Sequence, residues 1–177
     1  FLMNCHYVSA YRLDDQHLSL MLEEIEKNNL QFLFGYPGSV FCLANYAIST
    51  GWNKPLRSVV TWGDMLYPHF RQTIEKAFNT KVFDTYGCSE GFHIAAQCEV
   101  DHLYHIHDLD VIVEFLGVDN MPVAPGTPGR VVVTRLHPGP MPLVRYEVGD
   151  IAVPTMQQCA CGRSFNTLDH IQGRDTD

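Results

Sequence analysis

A hydroxyl and a carboxylate stand side by side at Ser89-Glu90, in a turn bounded by Gly87 and Gly91 and reached through the apolar pair Val82-Phe83. Glycines allow backbone geometries that other residues resist, so the turn can bring both groups to a ligand. A serine oxygen suits a phosphate, and a glutamate oxygen suits a hard divalent cation. Asp84 and Tyr86 precede them at alternating positions. Taken alone, such a turn is more often ordinary loop chemistry, or a helix N-terminus with its capping residue. A second set of reactive groups is Cys159-Ala160-Cys161-Gly162-Arg163, with Cys98, His102, His105 and His107 upstream. Three thiolates and one imidazole complete a tetrahedral zinc site. One residue between Cys159 and Cys161 is tighter than the usual two, and a pair of buried thiols is the competing reading.

The rest of the composition narrows the field. The chain has 177 residues and is 46% hydrophobic, enough for a buried core in one domain or two small ones. A formal charge of -8, with no cluster of lysine and arginine, argues against a nucleic-acid partner. The apolar runs fall far short of the roughly 20 residues needed to span a bilayer, and no signal-peptide pattern opens the chain. No membrane role is expected. The six cysteines then read as reduced thiols or metal ligands in a cytoplasmic protein.

Positioning those groups requires regular elements. Leu18, Met21, Leu22 and Ile25 recur at helical spacing after Asp14, which predicts a helix over 15–28 closed by Asn28-Asn29. A short strand follows at 31–36, then a Pro37-Gly38-Ser39 turn whose serine caps a helix to about Thr50. Ser58–Thr61 reads as a strand, Pro68–Phe78 as a helix, and 81–84 as the strand that delivers the Ser89 turn. This alternation predicts an α/β layer with a largely parallel sheet, and ligands in such sheets bind beyond the carboxyl ends of the strands. After Cys98 the texture becomes β-rich: strands at 111–116, 129–134, 143–146 and 150–153 are separated by rigid loops at 122–128 and 138–142. The expected fold class is therefore α/β. Residues 1–97 are read as part of a layered α/β nucleotide-binding domain, and 98–172 as a small β-rich, barrel-like subdomain with the cysteine knuckle.

Placed in order, the motifs Gly-x-Ser-Glu, Arg-Tyr-x-x-Gly-Asp (145–150), Cys-x-Cys-Gly-Arg and Gly173-Arg174 resemble the adenylate-forming acyl-CoA ligases. The nearest branch is that of phenylacetate-CoA ligase and its capsule-biosynthesis-like relatives. The resemblance implies an enzyme that activates a carboxylic acid with ATP to an acyl-adenylate and passes the acyl group to a thiol, usually coenzyme A. It implies that Tyr86 stacks on adenine and Asp84 meets the adenine amino group. Gly87 is among the nucleotide-binding residues, Ser89 lies by the phosphates, Glu90 is the catalytic carboxylate that holds Mg²⁺, and Asp150 bonds the ribose hydroxyls with help from Arg174. It further implies a structural Zn²⁺ on Cys98, His105, Cys159 and Cys161, with His102 or His107 as substitutes for His105. Asp64, in Trp62-Gly63-Asp64, matches a family turn that usually reads Gly-Glu, and a plain turn residue is an equal reading. His93 faces either the acyl pocket or the core.

The family's glycine-rich phosphate loop and the small C-terminal domain with its lysine are not found in these residues. The expectation is a fragment of the large AMP-binding domain that ends at the start of a hinge, 173–177, and does not complete adenylation alone. Thr176 stands where the hinge usually has an acid. A homodimer is left open. Two other readings stay in play: a non-catalytic zinc-stabilised binding module, and an adenylating enzyme of polysaccharide biosynthesis that does not use coenzyme A.

Overall fold

The computed structural model describes residues 5–139 and 141–175. The expected hinge residues Thr176 and Asp177, and Pro140 of the second rigid loop, lie outside the described residues. The chain is a mixed α/β protein that divides into two compact units, Phe1–Val82 and Phe83–Asp177, whereas the change of texture in the sequence falls at Cys98. No described helix is long and apolar enough to cross a membrane.

The first unit holds α1 (Asp15–Lys27), β1 (Phe32–Gly35), α2 (Pro37–Thr50), β2 (Ser58–Trp62) and α3 (Pro68–Phe78). Asp14 caps α1, its carboxylate accepting from the His17 amide at 3.2 Å, and Asn28 closes the helix. α2 starts one turn earlier than expected. Pro37 occupies its first position, where the missing amide costs nothing, and Ser39 makes no cap but donates to the Ala10 carbonyl at 3.3 Å. β1 and β2 pair in parallel, as the alternation predicts. Leu18, Leu22, Ile25, Leu43, Val59, Ile74 and Phe78 are buried together and form the core of this unit.

The second unit is antiparallel. β3 (Val82–Cys88), β4 (Phe92–Gln97), β5 (Tyr104–Ile106), β6 (Val111–Leu116), β7 (Gly129–Arg135), β8 (Tyr146–Thr155) and β9 (Thr167–Arg174) are ordered β3-β4-β5-β9-β8-β7-β6. The parallel arrangement expected for the strands before residue 90 is not continued by β4, which runs antiparallel to β3. The reason is the tight turn after Cys88, which sends β4 straight back along β3. The ladder runs as an open series, and among the described residues no pairing joins its ends into the expected barrel. The two strands expected at 143–146 and 150–153 are one, β8, which continues through Gly149 with register shifts against β9. Ile94, Val131, Val133, Ala152 and Leu168 are fully buried at its centre.

Candidate functional site

The Ser89-Glu90 turn is a β-hairpin connection, which removes the helix-cap reading. The Gly91 amide donates to the Cys88 carbonyl at 3.1 Å to close it. Gly87 sits at a register shift in β3 so close to β4 that a Cβ there would stand 2.3 Å from the Phe92 carbonyl oxygen, so only glycine fits. Gly91 has φ 88°, the left-handed geometry that completes the turn. Arg135, at the end of β7, clamps the turn from outside. Its guanidinium donates to the Glu90 carbonyl at 2.8 Å and lies 4.7 Å from the centre of the Phe92 ring. The Tyr146 hydroxyl donates to Glu90 Oε1 at 2.5 Å. That bond, with a second from Cys88, holds the Glu90 carboxyl below its ordinary range, while the same contact raises Tyr146. Burial, and then the contact with Glu90, pushes the Cys88 thiol up to about 11, so it is no nucleophile.

A second group forms across β3, β8 and β9. The Tyr86 hydroxyl donates to Asp150 Oδ2 at 2.8 Å, and Arg174 Nε lies 3.5 Å from Asp150 Oδ1. Antiparallel register places Asp150 directly opposite Arg174. Arg174 also donates to the Val148 carbonyl at 2.9 Å, crossing Gly149, where φ is 82° and a Cβ would approach its guanidinium to 3.0 Å. Tyr86 is buried, and burial with the neighbouring Asp150 charge raises its hydroxyl far above the usual tyrosine range, so it stays a neutral donor. Asp84, two residues earlier on the same face, is buried; its carboxylate accepts from the Tyr104 hydroxyl at 2.7 Å. Ser89 and His93 are exposed. Asp64 lies in the first unit, exposed, its carboxylate accepting from the Met65 amide at 2.8 Å, an ordinary turn geometry.

The third group is the cysteine and histidine set. Sγ of Cys98, Cys159 and Cys161 and a ring nitrogen of His105 all lie within 4.8 Å of one another. Cys98 and Cys159 sulfurs are 3.4 Å apart, and Cys161 Sγ is 3.4 Å from His105 Nε2. A disulfide would bring two sulfurs to about 2.05 Å. A tetrahedral ion with bonds of about 2.0–2.3 Å instead has ligand-to-ligand edges of about 3.4–3.8 Å. The donors thus have the chemistry and spacing of a closed four-ligand site. Cys98 follows β4, His105 lies in β5, and the two remaining thiols sit in the connection from β8 to β9. His105, rather than His102 or His107, is the histidine in the group. Its Nδ1 is buried with no hydrogen-bond partner among the described residues, which leaves Nε2 as the nitrogen aimed at the thiols.

Reading the sequence did not assign Arg135, Tyr104 or Tyr146. Tyr146 lies inside the Arg-Tyr-x-x-Gly-Asp motif, so its position was visible although its partner was not. Arg135 carries no local signal, because its role depends on a residue 45 positions away.

No family model matches the chain. Among curated proteins it is similar to phenylacetate-coenzyme A ligase of Thermus thermophilus, at 30% identity over 113 residues, covering 60% of this chain and 25% of that protein. It is also similar to Protein CapK of Staphylococcus aureus, at 25% identity over 150 residues, covering 84% of this chain and 32% of that protein. The chain therefore spans a quarter to a third of the curated relatives it matches. A solved structure of a 2-hydroxyisobutyryl-CoA ligase, in complex with 2-HIB-AMP and CoA, shares its fold with a TM-score of 0.81 at 23% identity, covering 89% of this chain and 36% of that one. The chain thus shares its fold with an acyl-CoA ligase, and its sequence similarity to phenylacetate-coenzyme A ligase and CapK supports a place in the adenylate-forming acyl-CoA ligase superfamily.

Proposed function

We propose that these residues form the nucleotide-holding part of an ATP-dependent carboxylate-CoA ligase. Such an enzyme joins an acid to ATP as an acyl-adenylate, releases pyrophosphate, and passes the acyl group to the thiol of coenzyme A. The reading rests chiefly on Asp150, whose carboxylate is held between the Tyr86 hydroxyl and Arg174 at the strand register that sets β8 against β9. A carboxylate fixed from two sides offers its remaining lone pairs to the two hydroxyls of a ribose. The ring of Tyr86 beside it offers adenine a flat face, with Asp84 on the same strand toward the amino group. Ser89 and Glu90, in the turn that follows, meet the phosphates and their Mg²⁺. Mg²⁺ on the phosphates would offset the charge that develops there during adenylation. Tyr146 keeps Glu90 ionised and oriented for that ion.

In this reading Zn²⁺ on Cys98, His105, Cys159 and Cys161 is structural, since four protein ligands leave no open position.

The test is AMP affinity by calorimetry in the chain and in Asp150→Asn. A lost charged hydrogen bond to the ribose is expected to cost about 1.5–3 kcal/mol, roughly 10- to 100-fold in Kd. Equal affinity in the two proteins would remove Asp150 from the site. The compact thiol set also favours a second reading, a zinc-stabilised binding module. That reading wins if a zinc chelator collapses the melting temperature while AMP leaves it unchanged.

A further inference from the structure

Arg163 follows the last thiol of the cysteine set and turns back over it. Its backbone amide donates to Cys161 Sγ at 3.4 Å, and its guanidinium reaches Cys98 Sγ at 3.7 Å. The same guanidinium pairs with Glu99 at 3.1 Å, and the Val100 amide donates to Cys98 Sγ at 3.5 Å. One side chain thus joins the connection between β8 and β9 to the turn after β4, at the sulfurs themselves. The Arg163 side chain is 47% exposed and that of Glu99 60%, so as a salt bridge alone the pair contributes little stability. Charge at the sulfurs is a different matter. Three thiolates, a neutral imidazole and a divalent ion sum to one net negative charge, and the Arg163 guanidinium is a cation in contact with that set.

The geometry points to Arg163 as a positioning residue of the metal centre, which balances the excess thiolate charge and ties Cys98 to Cys161, with Glu99 holding its guanidinium in place. This rests on the reading of the four ligands as a zinc site. Arginine suits the task because its planar fork can meet a sulfur and a carboxylate at once, which a lysine ammonium on its flexible stem does not reproduce.

The experiment uses the 177-residue chain loaded with Zn²⁺. Zinc release to a colorimetric chelator is timed in the parent chain, Arg163→Met, Arg163→Lys and Glu99→Gln. The Co²⁺-substituted forms are compared by their thiolate-to-cobalt charge-transfer bands. Arg163→Met is expected to release zinc about 10- to 100-fold faster and to shift the cobalt band, with Arg163→Lys and Glu99→Gln in between. Release from Arg163→Met at the parent rate, with an unmoved cobalt band, overturns the assignment of Arg163 and leaves the zinc site standing. A parent chain that retains no zinc after dialysis instead overturns the zinc site, and the role of Arg163 with it. Should Arg163→Met fail to fold, Glu99→Gln decides, and parent-like release from it counts against the inference.

Discussion

Glu90 and Tyr146 share a proton-poor, oriented contact that makes the turn sensitive to pH at both ends of the scale. Glu90 titrates below its ordinary value of 4.5, so the stability it adds is present above that pH and is lost as pH falls through the folded value. Tyr146 titrates above its ordinary 10.0, so its share is present below that pH and is lost as pH rises through the folded value. Tyr146→Phe is therefore expected to lower stability by a constant amount across neutral pH. Its difference from the parent should shrink in acid and again in alkali, as followed by urea unfolding at several pH values. A difference that stays level into acid would show that the hydroxyl does not hold Glu90. The residue types at Tyr86, Glu90, Asp150 and Arg174 were legible from their motifs, because glycine and acid spacing within a few residues survives without knowledge of the fold. Their pairing was not. Tyr86 meets Asp150 across 64 positions of sequence, and only the order of β3, β8 and β9 decides that.

At the scale of elements, legibility followed the reach of the forces that fix each one. α1 and α3 announce themselves through apolar residues at helical spacing, with the Asp14 cap before α1 and Pro68 at the first position of α3, so their limits match expectation within a residue or two. β5 has three residues, all buried, and no alternation for a pattern to catch. β9 carries Asp169, His170 and Gln172 among its apolar positions and reads as loop until β8 pairs with it. β8 reads as two strands because Gly149 and Pro154 look like breakers, yet register shifts absorb the irregularity and keep the ladder continuous. β9 joins β5 to β8, and Leu168 stands at that join opposite both Tyr104 and Pro154, fully buried. Leu168→Ala removes packing that no neighbouring element can replace, and is expected to cost about 2–5 kcal/mol in chemical denaturation. A loss under about 1 kcal/mol would mean that the site collapses freely around the smaller side chain.

For the whole molecule, the decisive fact is that its buried apolar residues fall into separate groups. One is built from α1, β1, α2, β2 and α3, with Val82 at the start of β3; a second comes from the antiparallel strands; a small third surrounds Cys98, Leu103 and Cys159. The third group has too few apolar side chains to order its loops by burial alone, given that fixing each residue costs about 1–2 kcal/mol of backbone entropy. A bound ion at Cys98, His105, Cys159 and Cys161 would supply what burial does not, because such a site exists only in the folded chain and its binding energy becomes folding energy. Chelation is therefore expected to act locally rather than to melt everything at once. Hydrogen exchange with and without a chelator should show faster exchange in β5 and in the connection carrying Cys159 and Cys161. The amides of α1, α2 and α3, whose core contains none of the four ligands, should keep their protection. Equal loss of protection throughout would mean that the metal holds the whole chain together, and no change anywhere would mean that the thiols pack without an ion.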